Sequence, residues 1–346
     1  MIFSKTLNRW YSINKRELPW RQTKNPYSIW LSEIILQQTQ VKQGLPYYEA
    51  FLVNFPTVFD LARAEEQDVL KLWQGLGYYS RARNIHLTAK YIVNQYDGVF
   101  PNNYTALLKL KGVGDYTASA IASICFNEPK AVVDGNVYRV LSRYFGVETP
   151  INSSKGIKEF KTLAQELIDH ENPADYNQAI MEFGAVQCKP QNPDCSVCPF
   201  NTTCFAFNKN QIQQLPVKIK AEKAKKKYFN FLVIISKEEQ TILKKREGKG
   251  IWQNLYQFPL IETSKSMNQD EFHSILKNHD VLKGLNYELS LYNETAIIHK
   301  LSHQHLYTKF WIVTTHASLT EGITFLEIHK YPVPLLIENF IKDFNF

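Results

Sequence analysis

Four of the five cysteines in this 346-residue chain fall between Cys188 and Cys204. Their order is Cys188, six residues, Cys195, two residues, Cys198, five residues, Cys204. Thiolates at such intervals can close around one metal centre, and zinc and a 4Fe-4S cluster both accept four of them. Spacing alone does not choose between the two. In a reducing compartment, so tight a group reads as a metal site and not as a disulfide set. The fifth cysteine, Cys125, sits in the apolar run Ile121-Ala122-Ser123-Ile124-Cys125-Phe126 and reads as a buried structural thiol.

Two carboxylates stand in unusual company. Glu33 lies inside Trp30-Leu31-Ser32-Glu33-Ile34-Ile35-Leu36. An acid there is either on an exposed stripe or in a pocket, and burial would raise its pKa until it could donate a proton near neutral pH. Asp134 follows Ala131-Val132-Val133 and precedes Gly135-Asn136-Val137, where it suits a helix N-cap. A helix N-terminus would keep that carboxylate ionised. One acid held protonated and one held charged is an arrangement for cleaving a glycosidic bond through an oxocarbenium-like state. Sequence separation alone does not pair them. A third stretch, Leu110-Lys111-Gly112-Val113-Gly114-Asp115-Tyr116-Thr117-Ala118, places Gly112 and Gly114 in a tight turn before a helix. Backbone N–H groups exposed there can hold a phosphate.

Helices must carry most of these groups. Residues 1 to about 210 show apolar recurrence at three and four positions, with Gly and Pro punctuation between segments. The segment Pro216–Lys227 holds six lysines against Glu222 and reads as a solvated linker that can also follow a phosphate backbone. Beyond it, Phe229, Phe231, Val233 and Ile235 alternate as in a strand. Ile297–Leu301 and Phe310–Val313 look similar, while Asp270–Asn278 and Pro334–Phe344 read as helices. The expected division is a helical region 1–212, a lysine-rich linker 213–227 and an α+β domain 228–346. The net charge of +7 favours an acidic partner without requiring one. No secretory signal is visible and no apolar run approaches the roughly 18 residues of a membrane span, so the chain is expected in the cytoplasm.

Together these stretches resemble the helix-hairpin-helix glycosylase superfamily, and within it the adenine DNA glycosylases. The resemblance runs through Leu18-Pro19-Trp20-Arg21, Asn25-Pro26-Tyr27-Ser28-Ile29-Trp30-Leu31-Ser32-Glu33, Leu36-Gln37-Gln38-Thr39-Gln40-Val41 and Gly75-Leu76-Gly77-Tyr78-Tyr79-Ser80-Arg81. It continues through Val133-Asp134-Gly135-Asn136-Val137, Asn177-Gln178-Ala179-Ile180-Met181-Glu182-Phe183-Gly184-Ala185 and the cysteine group. The fold it implies is a mainly α glycosylase domain, with a six-helix barrel over about 25–130 and an iron–sulfur part over 1–24 and 131–212, plus an α+β Nudix-like C-terminal domain. It implies a 4Fe-4S cluster on Cys188, Cys195, Cys198 and Cys204. Glu33 matches a general acid that protonates adenine N7, and Asp134 a carboxylate that stabilises or captures the sugar cation. Tyr116 and Asn136 match residues supporting that centre; Arg16, Trp20 and Glu182 match the adenine pocket. Gln38, Thr39, Leu76 and Tyr78 match residues that wedge into the duplex around an oxidised guanine, since a base must leave the stack before chemistry.

Position 116 is lysine in the related endonuclease III branch, where it forms an imine and cuts the strand. Tyr116 cannot, which implies a hydrolase that removes the base only. The C-terminal match rests on Gly250-Ile251-Trp252-Gln253-Asn254-Leu255-Tyr256-Gln257-Phe258-Pro259, Leu301-Ser302-His303 and Tyr331-Pro332-Val333-Pro334. Ser302 and His303 match a loop that contacts the oxidised guanine. The stretch after Pro259 lacks the acid-rich pattern of a nucleotide hydrolase, so this domain is expected to read DNA. The implied partner is double-stranded DNA carrying an adenine:8-oxoguanine mispair, met by a monomer that binds no membrane. Two alternatives are a thymine or uracil mismatch glycosylase of the same superfamily and a non-catalytic iron–sulfur DNA-binding protein.

Overall fold

The computed structural model describes residues 2–220, 223–276, 282–344 and 346. Glu222 of the linker and Asn278 of the expected helix lie outside them. The chain forms two compact units, Met1–Arg63 with Asn84–Lys220, and Ala64–Arg83 with Ala221–Phe346.

In the first unit the chain runs through α1 (Ile2–Asn14), α2 (Pro26–Ile35), α3 (Val41–Asn54) and α4 (Val58–Arg63). After α5 (Glu66–Leu72), which belongs to the second unit, α6 (Ser80–Tyr96) leads back into the first. There follow α7 (Tyr104–Leu107), α8 (Asp115–Phe126), α9 (Gly135–Phe145), α10 (Ser154–Leu167), α11 (Pro173–Glu182), a π turn at Phe183–Gln187 and α12 (Phe205–Asn208). The start of α2 is fixed locally: Asn25 accepts from the backbone N–H of Tyr27 at 2.9 Å, and Pro26 takes the first helical position. Tyr27 and every residue from Ile29 to Ile35 are buried. The helix therefore has no exposed stripe around Glu33, which decides the choice the sequence left open. It packs on α8, whose face from Thr117 to Ile124 is buried.

Helix α9 starts on Asp134, which caps it as expected, and stops at Gly146 with φ +72°. A Cβ at Gly146 would stand 2.6 Å from the Phe205 ring, so the same glycine ends the helix and admits α12. Where α11 passes into the π turn, a Cβ on Gly184 would meet Asn136 Cβ at 2.6 Å. That close approach brings the Cys188 end of the chain against the start of α9.

The second unit is built on a sheet of order β5-β1-β8-β6, with β7 also paired to β8. Its strands are β1 (Lys225–Ser236), β5 (Leu260–Thr263), β6 (Tyr287–Leu291), β7 (Ile297–Lys300) and β8 (Gln304–Thr315). The short strands β2 (Gln240–Thr241) and β9 (Ile323–Thr324) form one pair, and β3 (Lys244–Lys245) and β4 (Tyr256–Gln257) another. β1 lies parallel to β8 along its whole length, Phe231 opposite Phe310. The strand expected from Phe229, Phe231, Val233 and Ile235 is β1, and since Phe229 to Ile234 are all buried it is a central strand covered on both faces. On one face Phe272 of α13 (Gln269–Leu276) stacks on Trp311 at 4.2 Å; elsewhere Phe340 of α14 (Leu335–Phe344) stacks on Phe310 at 4.0 Å. β1 also begins inside the expected linker, at Lys225.

Residues 64–83 read from sequence as part of the helical region, yet they pack with the C-terminal chain. The reason lies in polar contacts that periodicity does not reveal. Lys71 Nζ donates to Tyr331 O at 3.2 Å, Gln74 Oε1 accepts from Val333 N–H at 3.0 Å, and Arg83 donates to Gln253 O at 2.8 Å.

Candidate active site

A cavity of about 760 Å³ opens in the first unit between α2, α8, α9 and α11. Arg16, Trp20, Glu33, Gln38, Thr39, Gly114, Tyr116, Asp134, Asn136 and Glu182 all line it. The two acids that spacing could not pair thus share one chamber. Gly112 is not on the wall; it turns the chain into Gly114 at φ +78°, where a Cβ would strike Asn84 at 2.8 Å.

Glu33 is the more deeply buried acid, and burial lifts its carboxyl to about 7. A hydrogen bond with Tyr116 opposes that rise and the charge of Asp134 adds to it. The Tyr116 hydroxyl also stands 3.2 Å from Met181 Sδ. Burial raises Asp134 as well, against the expectation from its capping position alone. Three donors resist the rise: the Asn136 and Val137 N–H groups at 2.9 and 2.8 Å on Oδ1, and Asn136 Nδ2 at 2.8 Å on Oδ2. Burial therefore lifts both acids, but Asp134 has three donors on its oxygens to favour its charged form, while Glu33 is lifted to about 7 against a single opposing hydrogen bond from Tyr116.

Glu182 is sealed inside a clamp. Arg16 donates through Nε and a terminal nitrogen, each at 2.7 Å, and Arg21 adds a third bond of 2.7 Å. Burial would raise this carboxyl, but the two guanidinium groups hold it at about 2. Both oxygens are occupied, so Glu182 fixes Arg16 and Arg21 on the wall. Trp20 is buried edge-on to Tyr48. At the cavity mouth Gln38 adopts φ +56°, a left-handed conformation that costs energy in a residue with a Cβ and concentrates at working sites.

The cysteines gather where α9 ends. Cys188, Cys195, Cys198 and Cys204 line one small cavity with Arg143, Phe183 and Phe200. Arg143 is buried and donates to Lys189 O at 2.7 Å and Pro190 O at 3.0 Å. One turn earlier Arg139 donates to Cys188 O at 2.7 Å, Gly184 O at 2.6 Å and Asn136 Oδ1 at 2.8 Å. Arg139 thus ties the cysteine loop to Asn136, which donates to the Asp134 carboxylate. Among the described residues, no three of His, Cys, Asp and Glu converge closely enough to hold a single metal ion. A four-cysteine zinc site would draw its sulfurs to about 2.3 Å from one ion. Four thiols round one cavity are a donor set that zinc or a 4Fe-4S cluster would accept.

Leu76, Tyr78, Ser302 and His303 come together in the second unit, on a cavity of about 400 Å³ that also includes Gly250–Trp252. Ser302 and His303 form the turn between β7 and β8. The Ser302 hydroxyl is 2.5 Å from that of Tyr78. Arg21, Gln178, Met181, Arg139 and Arg143 were not singled out from sequence. Arg139 and Arg143 carry a signal only in retrospect, four apart on one face of α9.

Residues 31–166 match the HhH-GPD superfamily of base excision DNA repair proteins, and residues 230–343 the NUDIX domain. The adenine DNA glycosylase of Buchnera aphidicola subsp. Baizongia pistaciae is 37% identical over 92% of this chain and 88% of its own. The chain belongs to the adenine DNA glycosylase family. The Buchnera aphidicola subsp. Acyrthosiphon pisum member is 35% identical, over 87% of this chain and 83% of its own. Among solved structures, a thermostable thymine-DNA glycosylase shares 31% identity at a TM-score of 0.56, covering 60% of this chain and 96% of its own. A trapped endonuclease III–DNA intermediate has the same fold at TM-score 0.53 and 23% identity, over 60% and 94%. The chain is accordingly a DNA N-glycosylase with a helix-hairpin-helix domain followed by a Nudix-like domain.

Proposed function

We propose that this glycosylase hydrolyses the bond between adenine and deoxyribose where adenine is paired with 8-oxoguanine in duplex DNA. The observation that carries the reading is the pair of unlike acids: Glu33 lifted to about 7 and Asp134 braced by three donors, in one cavity. Glu33 donates its proton to N7 of the flipped adenine, turning the base into a neutral leaving group. As the bond breaks, positive charge grows on the sugar, and Asp134 stabilises it. Water then adds to the anomeric carbon and gives up one proton, which the Glu33 carboxylate accepts, restoring the acid. Tyr116 and Asn136 orient the two carboxylates. Arg16, braced by Glu182, and Trp20, packed on Tyr48, shape the base pocket. Gly112 and Gly114 offer backbone N–H groups to a phosphate. Leu76 and Tyr78, with Gln38 and Thr39, enter the stack around the oxidised guanine, and Ser302 and His303 read it.

Cys188, Cys195, Cys198 and Cys204 would hold a 4Fe-4S cluster, which would order the loop that presents Lys189 to the DNA backbone. It supplies no step in base removal. The protein is read as a cytoplasmic monomer. No helix among the described residues is long and apolar enough to cross a membrane.

The test is Glu33→Gln. The amide keeps the shape and loses the proton, so single-turnover excision should fall by ~10²–10⁴-fold while duplex affinity stays within a few-fold. Near-parental excision would remove Glu33 from its role. Running the same assay on thymine and uracil mismatches separates this reading from the thymine glycosylase it resembles over its helical part.

A further inference from the structure

The loop Gly75-Leu76-Gly77-Tyr78 holds three residues in the left-handed region, at φ +97°, +70° and +45° for Gly75, Gly77 and Tyr78. The glycines pay nothing for this, but Tyr78 carries a Cβ and needs outside support to stay there. The support comes from beneath. Trp73 Nε1 donates to Gly77 O at 3.0 Å. One terminal nitrogen of Arg81 donates to Leu76 O at 3.2 Å and to Gly77 O at 3.3 Å. The same guanidinium lies over the Trp73 ring at 4.9 Å and the Tyr78 ring at 5.9 Å.

Arg81 is buried, and burial lowers its pKa to about 10, so it remains a cation at neutral pH. A buried cation is costly unless its surroundings use it. Here the flat guanidinium lies against two aromatic rings while its edge bonds successive carbonyls of the loop. An ammonium can satisfy one of these demands but lacks the plane that meets both.

We propose that Arg81 is the positioning residue of the duplex-entering loop: it fixes the backbone of Leu76 and Gly77 and the ring of Tyr78 in one geometry before DNA arrives. It touches no reacting atom and acts through Tyr78. The inference rests on the reading that Tyr78 enters the stack beside the oxidised guanine.

The experiment compares the full-length parent enzyme with Arg81→Lys and Tyr78→Ala. Single-turnover excision is measured for adenine opposite 8-oxoguanine and opposite guanine, with 2-aminopurine beside the opposite base to report unstacking. Arg81→Lys should lower the 8-oxoguanine preference about tenfold, as expected for losing a hydrogen bond or two of ordinary strength, and should reduce the fluorescence rise on binding. A lowered melting temperature with both readouts unchanged would mean Arg81 serves stability alone and would overturn the inference. Loss of both readouts in Tyr78→Ala but not in Arg81→Lys overturns the role of Arg81 and leaves that of Tyr78 standing. No effect in Tyr78→Ala overturns the underlying reading. If Arg81→Lys does not fold, Trp73→Phe carries the test, because it removes the donor to Gly77 and keeps an aromatic ring. A preference reduced about threefold, the share of one such bond, supports the prearranged loop, and an unchanged one rejects it.

Discussion

At the scale of single residues, the activity should follow the protonation of Glu33. Its carboxyl is lifted from an ordinary 4.5 to about 7. The form proposed to work is the acid, which is present below that value and lost as pH rises through it. Excision should therefore decline above about pH 7, with an acid limb set by Asp134 above the usual Asp range, since burial raises that group too. The same shift bears on stability. Between 4.5 and 7 the unfolded chain releases a proton that the folded protein keeps, so stability falls across this window and levels off above it. A shift of this size corresponds to about 3 kcal/mol. Glu33→Gln should gain most over the parent at pH 8 and little at pH 4.5. Melting curves across that range check the sign, and a constant difference would show that Glu33 titrates normally. Tyr116 gives a second residue-level expectation. A phenol forms no imine with an abasic sugar, so borohydride should trap little enzyme on DNA and strands should break only after alkali or heat. Efficient trapping would identify an amine doing this work, with Lys111 the nearest by sequence.

The residue types were legible because each acid stood where its neighbours made it conspicuous: Glu33 among apolar residues, Asp134 at a helix start. What sequence did not give was the balance of forces on them. The capping position of Asp134 predicted a depressed carboxyl, and burial reversed the direction. Glu182 looked like a pocket residue but has both oxygens bonded to arginines. The Glu182 contacts join positions more than a hundred and fifty apart.

At the scale of elements, helix α9 connects two parts of the first unit. Its first turn is capped by Asp134, and Arg139 and Arg143 on its body bond the backbone of the cysteine loop. A group held by the four thiols would therefore be ordered from the same helix that presents Asp134. The purified protein should be brown with broad visible absorption, and Cys198→Ser should lose the colour and duplex affinity together, because the loop carrying Lys189 would come loose. A colourless protein with stoichiometric zinc would contradict the cluster. The elements were readable where period and punctuation agreed, as at α2, α8 and α9. They were missed where polar contacts decide. The 64–83 segment has helical patterning, yet Lys71, Gln74 and Arg83 bind it to backbone carbonyls and amides of the C-terminal chain. The strand β6 and the short pairs β2–β9 and β3–β4 are too brief or too mixed in polarity to announce themselves.

At the scale of the whole molecule, the groups proposed for the chemistry and the Ser302–His303 turn proposed to read the opposite base belong to different units. Every group assigned to bond cleavage belongs to the first, and the Tyr78–Ser302 contact to the second. That partition makes a prediction about how mutations sort. Oxidation puts a hydrogen on N7 of guanine, where the normal base offers only a lone pair. A Ser302 hydroxyl can accept from that hydrogen once DNA displaces its present partner, the Tyr78 hydroxyl. The exchange is between hydrogen bonds, so the net gain is modest, ~0.5–1.5 kcal/mol, and the effect should be a factor of a few to about tenfold in preference. Ser302→Ala combined with His303→Ala should reduce the preference for adenine opposite 8-oxoguanine over adenine opposite guanine by that factor. The single-turnover rate at saturating enzyme on the unmodified mispair should stay near the parent's, because Glu33 and Asp134 are untouched. Excision measured at limiting enzyme on both duplexes gives the ratio. An unchanged ratio would leave Leu301–Gln304 as a simple connection between β7 and β8 and move recognition to Gln38, Thr39 and Tyr78. A loss on both duplexes alike would show that the turn serves general DNA binding.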